Sequence, residues 1–424
     1  MYHVTYDYLR PKKAAALKKW FDSPLPDREL AVWEGANAAL LPVRKDPALL
    51  FGRGGVVDRD GNYVELSCIP KRVQGAYPFE TPQYRDETVV YCGYLVHHWG
   101  HFLVEGVARL WYFLESNPDV DKYVFLLNEN EEQEIRGNYR EFLELLGIWD
   151  KLEFVSKPTA FRKVLVPELS YLCMRYCSHK YLDIFDRVAE NAPQDPNLQT
   201  YEKIYFSRSQ FQKGQGFEFG FASMDNFLEK NGYTILFPEK VSLGQMIHYI
   251  RNAKVVATLS GSAQHNMLFG NQGQKIEIFE RFLLNNDHAV DICRIRELDV
   301  TYIDANIPIY TVDFAGPYIV AYNDNAQRFA ADRGYAAPDP EYTSERFLNK
   351  CFKQYMASYK DLYGYRWYMA DWYEPFVDYL REGYAAGYAC FRDYLDGNKP
   401  FRWHHYFEFH YWKQFIKRLI KRVR

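Results

Sequence analysis

Apolar positions along this chain follow two rhythms. Short, almost wholly apolar runs such as 123–128 (YVFLLN), 163–168 (KVLVPE), 233–238 (YTILFP) and 275–280 (KIEIFE) read as buried strands. Between them, apolar residues recur every three or four positions, as on one face of a helix. Residues 30–95 predict short strands joined by turns, with 56–66 alternating about Asp60-Gly61 as a hairpin does. A helix is predicted over 99–116 and a second near 131–147, closed by Gly147. The polar stretch 191–200, with two prolines, reads as a linker. Beyond it come a strand at 203–209, a helix at 222–232 closed by Gly232, a strand at 233–238 and a helix at 242–253 with Ser242 as its cap. A strand at 254–260, a helix opening at Gly261 and the strand at 275–280 complete the series. This alternation predicts an α/β protein whose second half is a parallel, Rossmann-like sheet. After 325 the pattern becomes helical and aromatic. It ends in 409–424, where Trp412, Phe415, Ile416, Leu419, Ile420 and Val423 face Lys413, Lys417, Arg418, Lys421, Arg422 and Arg424. That is a basic amphipathic helix, suited to an anionic membrane surface or to closing the fold as a solvated helix. The expected divisions are 1–195, 196–325 and a helical extension 326–424.

Composition narrows the function classes. With 424 residues, 48% hydrophobic and 25% charged, the chain has the balance of a globular protein. A net charge of −3 gives no general attraction to nucleic acid. No apolar run reaches membrane-spanning length, and the N-terminus has no secretory-signal pattern. Seven scattered cysteines, with Cys173/Cys177 the one close pair, predict reduced thiols, a cytoplasmic protein and no zinc site. Asp58-Arg59-Asp60 has D-x-D metal spacing, but its place at a hairpin tip favours a turn. No G-x-G-x-x-G is present, which leaves a dinucleotide site without support. The 36 tyrosines and 30 phenylalanines suit carbohydrate contacts as well as ordinary packing.

Two stretches about 150 residues apart concentrate polar chemistry: HHWGHFLVEGVARLW (97–111) and LSGSAQHNMLF (259–269). On a helix His101 and Glu105 share a face, and Arg109 continues the row. A carboxylate so flanked can have its protonation tuned and act as a general base. The alternative is a polar row on an exposed helix edge. His97 and His98 precede the helix and would join Arg109 on the same side of a cleft. In the second stretch, Ser260 ends a strand and Gly261-Ser262-Ala263 opens a helix. Free amides and the helix dipole there favour phosphate, with Ser260, Ser262, His265 and Asn266 as side-chain donors. The alternative is a capped tight turn. Arg208, just past the strand at 203–209, is placed either to clamp a diphosphate or to form a surface ion pair. Glu277 and Glu280 are candidates for ribose hydroxyls, unless one of them simply faces solvent.

At GHFLVEGVARLW (100–111), IYFSRS (204–209), PEKVSLGQMIHYIRNAKVV (238–256) and SGSAQHNMLF (260–269) the chain resembles glycosyltransferase family 61. Its bacterial members belong mostly to capsule and surface-polysaccharide gene clusters. The resemblance covers about 90 to 280, in order and with the expected spacing. It implies a GT-B-like fold, with two Rossmann-like domains facing a cleft. It implies inverting, metal-independent transfer from a nucleotide-activated sugar, without a cofactor, to a hydroxyl of a growing glycan, lipid-linked or free. Glu105 matches the acidic position of the family and would be the base, tuned by His101. Arg208 and the 260–266 turn match the donor-phosphate side. The tail at 409–424 would hold such an enzyme at the inner leaflet of the membrane. The rival readings are a nucleotide-sugar hydrolase or epimerase on the same fold, and a non-catalytic polysaccharide-assembly scaffold.

Overall fold

Two six-stranded sheets organise the chain. The computed structural model describes residues 2–131, 134–193, 195–211, 218–281, 286–307, 317–344 and 346–358, the last without 349, 352, 353, 356 and 357. The amphipathic stretch 409–424 and most of the aromatic extension lie outside the described residues.

The first sheet runs in the order Arg53–Val57, Val32–Arg44, Thr159–Pro167, Gln83–Tyr94, Lys122–Leu126, Leu152–Val155. Its last four strands are mutually parallel, and the first two are antiparallel additions at one edge. It is therefore a mixed sheet, whereas the strand–helix alternation predicted a parallel one and the family resemblance implied a Rossmann-like domain here. Of the hairpin predicted over 56–66 the turn forms, closed by a single antiparallel bridge between Val57 and Tyr63, but the returning arm is no strand and passes into a 3-10 turn at Glu65–Ser67. The Asp58 carboxylate accepts from the backbone amides of Asp60 (2.9 Å) and Asn62 (2.8 Å), an Asx-type turn around Gly61 at φ +85°.

The second sheet is wholly parallel: His3–Tyr8, Asp299–Asp304, Lys275–Glu280, Val255–Leu259, Lys203–Phe206, Thr234–Leu236. Helices cover both faces, which is why its strands read as continuous apolar runs. Its edge strand comes from the extreme N-terminus, so by sheet membership residues 1–195 are not one unit. The helix Pro11–Phe21 follows that strand into the second half, where Leu17 and Phe21 are buried. An opening strand so far from its partners in sequence carries no local signal of where it will pair.

The two halves share one core. A continuous apolar cluster joins Val90 and Phe125 of the first sheet to Ile204, Val256 and Ile276 of the second. At its centre Phe142, Phe185 and Phe269 pack edge to face, with ring centroids 5.5–6.2 Å apart. Ser242 caps the helix Leu243–Asn252 through a reciprocal bond with Gln245, as its sequence predicted. Glu141, from the helix Asn138–Leu146 of the first half, accepts the next two free amides, Leu243 and Gly244, at 2.8 Å each. That first-half helix starts at Asn138, later than predicted, because Gly137 turns the chain at φ +59°.

The predicted helix over 99–116 is broken. Phe102 N bonds to His98 O (2.8 Å) in ordinary helical fashion, but Val107 N reaches five residues back to Phe102 O (3.0 Å). The turn is widened at Phe102–Gly106, and regular helix resumes only at Trp111–Leu114. Competing donors explain the break. The Leu103 carbonyl accepts the Tyr181 hydroxyl (2.9 Å), and the Ala108 carbonyl accepts both Ser170 N and Ser170 Oγ. Carbonyls bonded from neighbouring elements are no longer held to the i→i+4 ladder.

Candidate active site

The two motifs singled out in the sequence touch. Trp99 Nε1 donates to Asn266 Oδ1 at 2.7 Å. Gly100 lies so close to the second motif that a Cβ there would meet His265 Nδ1 at 2.8 Å and Ser262 Oγ at 3.0 Å. The widened turn places Glu105 beside this junction, and such turns recur where a side chain has to be aimed at a functional centre.

Glu105 is the hub of the polar cluster. Its Oε2 lies 3.0 Å from His101 Nδ1, and its Oε1 accepts from Arg72 Nε at 2.9 Å. His288 Nε2 approaches the same Oε1 at 3.8 Å. Burial alone would raise the Glu105 pKa. The hydrogen bond and charge of His101, followed by Arg72 and His288, outweigh it and bring the carboxyl down to about 2. Glu105 is thus ionised throughout the neutral range. His101 has its other nitrogen, Nε2, without a partner among the described residues, and its side chain is 26% exposed. Phe51 meets the His101 ring edge-on at 5.9 Å, and His98 lies 4.9 Å away. His98 Nδ1 is buried without a partner among the described residues, and burial pushes the His98 pKa down.

Several predicted residues are elsewhere or otherwise engaged. Arg109 is buried away from Glu105. It donates to the carbonyls of Pro167 (3.0 Å), Leu66 (2.8 Å) and Cys68 (2.9 Å) and lies over the Tyr91 ring. The broken helix rotates it off the row that even spacing would give. His97 is exposed and stacks on Tyr139 at 5.2 Å, outside the Glu105 cluster. Glu277 is buried mid-strand against the Tyr233 hydroxyl. Glu280 is buried against Lys13 Nζ at 2.8 Å. Neither glutamate faces solvent or presents a free carboxylate to a ribose. Ser260 is fully buried and its Oγ accepts Arg281 N (3.1 Å), so it ties neighbouring strands together. Asn266 holds Trp99, and His265 lies between Gly100 and Asn286. Burial and the neighbouring His288 keep His265 neutral, with its pKa lowered to about 3.

The side expected to meet an anion gains a residue that the motifs did not flag. Arg281 follows the strand Lys275–Glu280, and its guanidinium packs against Gly261, where a Cβ would meet Nη2 at 2.5 Å. Gly261 adopts φ +132°, a left-handed conformation that also favours glycine. Arg281 stacks over Tyr318 at 5.0 Å. Arg208 and Arg281 both pair with Glu218, and all three side chains are largely buried. Burial and the nearby Arg208 charge lower the Arg281 pKa to about 9. A second anion would relieve that cost. Ser262 Oγ and the Gly261 end of the turn complete this side.

Among the described residues, Cys173, Asp287 and His288 bring metal-ligand atoms within 4.8 Å of one another. Burial pushes the Cys173 thiol well up, and His288 Nδ1 is taken by the Tyr171 hydroxyl at 3.0 Å, so this donor set suits a structural polar cluster better than a metal.

Residues 99–276 match the family model described as Glycosyltransferase 61. The matched span contains His101, Glu105, Arg208 and the 260–266 turn, and excludes Arg72, Arg281 and His288. No curated protein matches the chain. No helix among the described residues is long and apolar enough to cross a membrane. The chain carries a glycosyltransferase domain, and its substrates are accordingly a sugar donor and a glycan acceptor.

Proposed function

We propose that this glycosyltransferase 61 domain transfers a sugar from a nucleotide-activated donor with inversion, using His101 as proton acceptor and Glu105 as the anion that orients it. One observation carries the reading: the Glu105 carboxylate bonds His101 Nδ1 and leaves Nε2 without a partner among the described residues. A carboxyl held at about 2 is a poor proton acceptor at neutral pH, whereas an imidazole backed by a carboxylate is a good one. In the transfer, the acceptor hydroxyl gives its proton to His101 Nε2 as its oxygen attacks the anomeric carbon. The bond from that carbon to the diphosphate oxygen breaks, and the electron pair leaves with the nucleoside diphosphate. Arg208, Arg281 and the Gly261 turn face the departing charge, the task a divalent ion performs in other designs. The GT-B layout inferred from the sequence is compatible with donor and acceptor meeting where the two motifs touch.

The acceptor we take to be a growing surface polysaccharide, lipid-linked and reached at the inner leaflet, with the basic face of 409–424 holding the enzyme at anionic lipid. Removing 409–424 should shift the protein from sedimenting liposomes to the supernatant; unchanged partitioning would refute the anchor. For the chemistry, His101→Ala should lower kcat by about 10²–10⁴. Glu105→Gln should lower kcat as well, with donor binding kept. Wild-type turnover by His101→Ala would overturn the assignment of the base.

A further inference from the structure

Arg72 lies outside the matched family span, on a turn of the first half, yet its guanidinium reaches the Glu105 carboxylate. Its backbone is fixed independently of that contact. Arg72 N bonds Ile69 O (2.9 Å), and its carbonyl accepts the amides of Phe51 (3.0 Å) and Gly52 (3.1 Å). The turn therefore closes without the side chain, which is left to cross to Glu105 and is 29% exposed.

We propose that Arg72 is a positioning residue for the transfer reaction: it holds Glu105 Oε1 so that Oε2 meets His101 Nδ1, and its charge keeps the imidazole free to take a proton. This rests on the reading of His101 as the proton acceptor. The two carboxylate oxygens are then divided, one to the cation and one to the imidazole. The arrangement is a relay of Arg72, Glu105 and His101. The other groups facing the relay are His98 on the same segment, His265 on the 262–269 turn, and Asp287 and His288 at the start of the helix Asp287–Ile295. The Tyr171 hydroxyl donates to Asp291 Oδ2 (3.1 Å) and so accepts from His288 Nδ1, which leaves His288 Nε2 toward Glu105. Among these groups Arg72 supplies the permanent positive charge bonded to Glu105.

Arg72→Ala and Arg72→Lys test the proposal in the full chain, with kcat and KM measured across pH and His101 followed by NMR titration. Losing a cation beside the pair favours protonated His101. In Arg72→Ala the acid limb of the rate profile and the His101 titration midpoint should therefore both move to higher pH. The variant should lose about tenfold or more in kcat, while donor KM stays within about twofold. Arg72→Lys should restore the midpoint and most of kcat. An unmoved midpoint, a loss confined to acceptor KM, or equal damage in both variants would overturn the proposal. If Arg72→Ala unfolds, Arg72→Gln takes its place, since it removes the charge and keeps most of the side chain: its His101 midpoint should move to higher pH, and an unmoved midpoint overturns the proposal. Full activity of His101→Ala would sink the base assignment instead, and the NMR midpoint would still report whether Arg72 acts on His101.

Discussion

Acid should weaken this protein through Glu105 and His265 at different points of the pH scale. Glu105 sits at about 2 when folded, below its ordinary 4.5. Its stabilisation is complete above 4.5 and disappears as pH falls toward 2. His265 sits at about 3 when folded, against an ordinary 6.5. Between those values the unfolded chain binds a proton that the folded chain refuses, so stability declines as pH drops below 6.5. His98 and His288, also lowered by burial, add in the same direction. Urea midpoints should therefore fall from pH 7 to pH 5, and His265→Asn should flatten that first decline. A midpoint unchanged over this range would refute the account. Glu105, His101 and Arg208 were legible in the sequence, because residue type and spacing point to them. Arg109 was misread because helical spacing was assumed through a turn that is widened. Arg72 and His288 belong to no motif. Arg281 had a weak signal available, since it directly follows a strand of a parallel sheet, at the edge where ligands collect.

The close approach of two short elements, the segment from Trp99 and the turn from Ser262, makes the site, and glycine permits it. Gly100→Ala would push a methyl group into His265 and Ser262, and buried overpacking of this kind costs about 1–3 kcal/mol. Its kcat/KM should fall by more than that loss of stability explains, because the displaced turn carries the groups proposed to face the donor. Gly261→Ala meets the Arg281 guanidinium and also strains the backbone at φ +132°. It should weaken calorimetric binding of a nucleoside diphosphate while His101 titrates as in the wild type. Undiminished nucleotide binding by Gly261→Ala would remove the turn from the donor site. The strand–helix alternation and the Ser242 cap could be read directly, since both depend on neighbours in sequence. The break at Phe102–Gly106 could not, since its causes, Tyr181 and Ser170, lie about 60 to 80 residues downstream.

Across the whole molecule, the continuous core between the sheets predicts joint unfolding. Phe269→Ala removes a ring from the triad with Phe142 and Phe185 and should cost about 3–5 kcal/mol. Calorimetry should show one transition moved to lower temperature, not the loss of one of two peaks. The N-terminal strand supports this expectation, because it crosses from the first half of the chain to pair with Asp299–Asp304. Two separate transitions would show that the shared cluster does not couple the halves.

The sequence by itself determined the α/β class, the strands between 203 and 280 and the two helices before 254, the Asp58 turn, the Ser242 cap and the two polar motifs, though the helix expected from Gly261 is a 3-10 turn. Each depends on periodicity or on residues a few positions apart, where local conformation and burial leave a direct trace. Tertiary structure alone decided that the first sheet is mixed, that the first strand joins the second sheet, and that Arg109, Glu277 and Glu280 are buried structural groups. It also brought Arg72, His101 and His288 to one carboxylate, that of Glu105. Those outcomes follow from which distant carbonyls, charges and rings compete for the same partner, and that competition has no period along the chain.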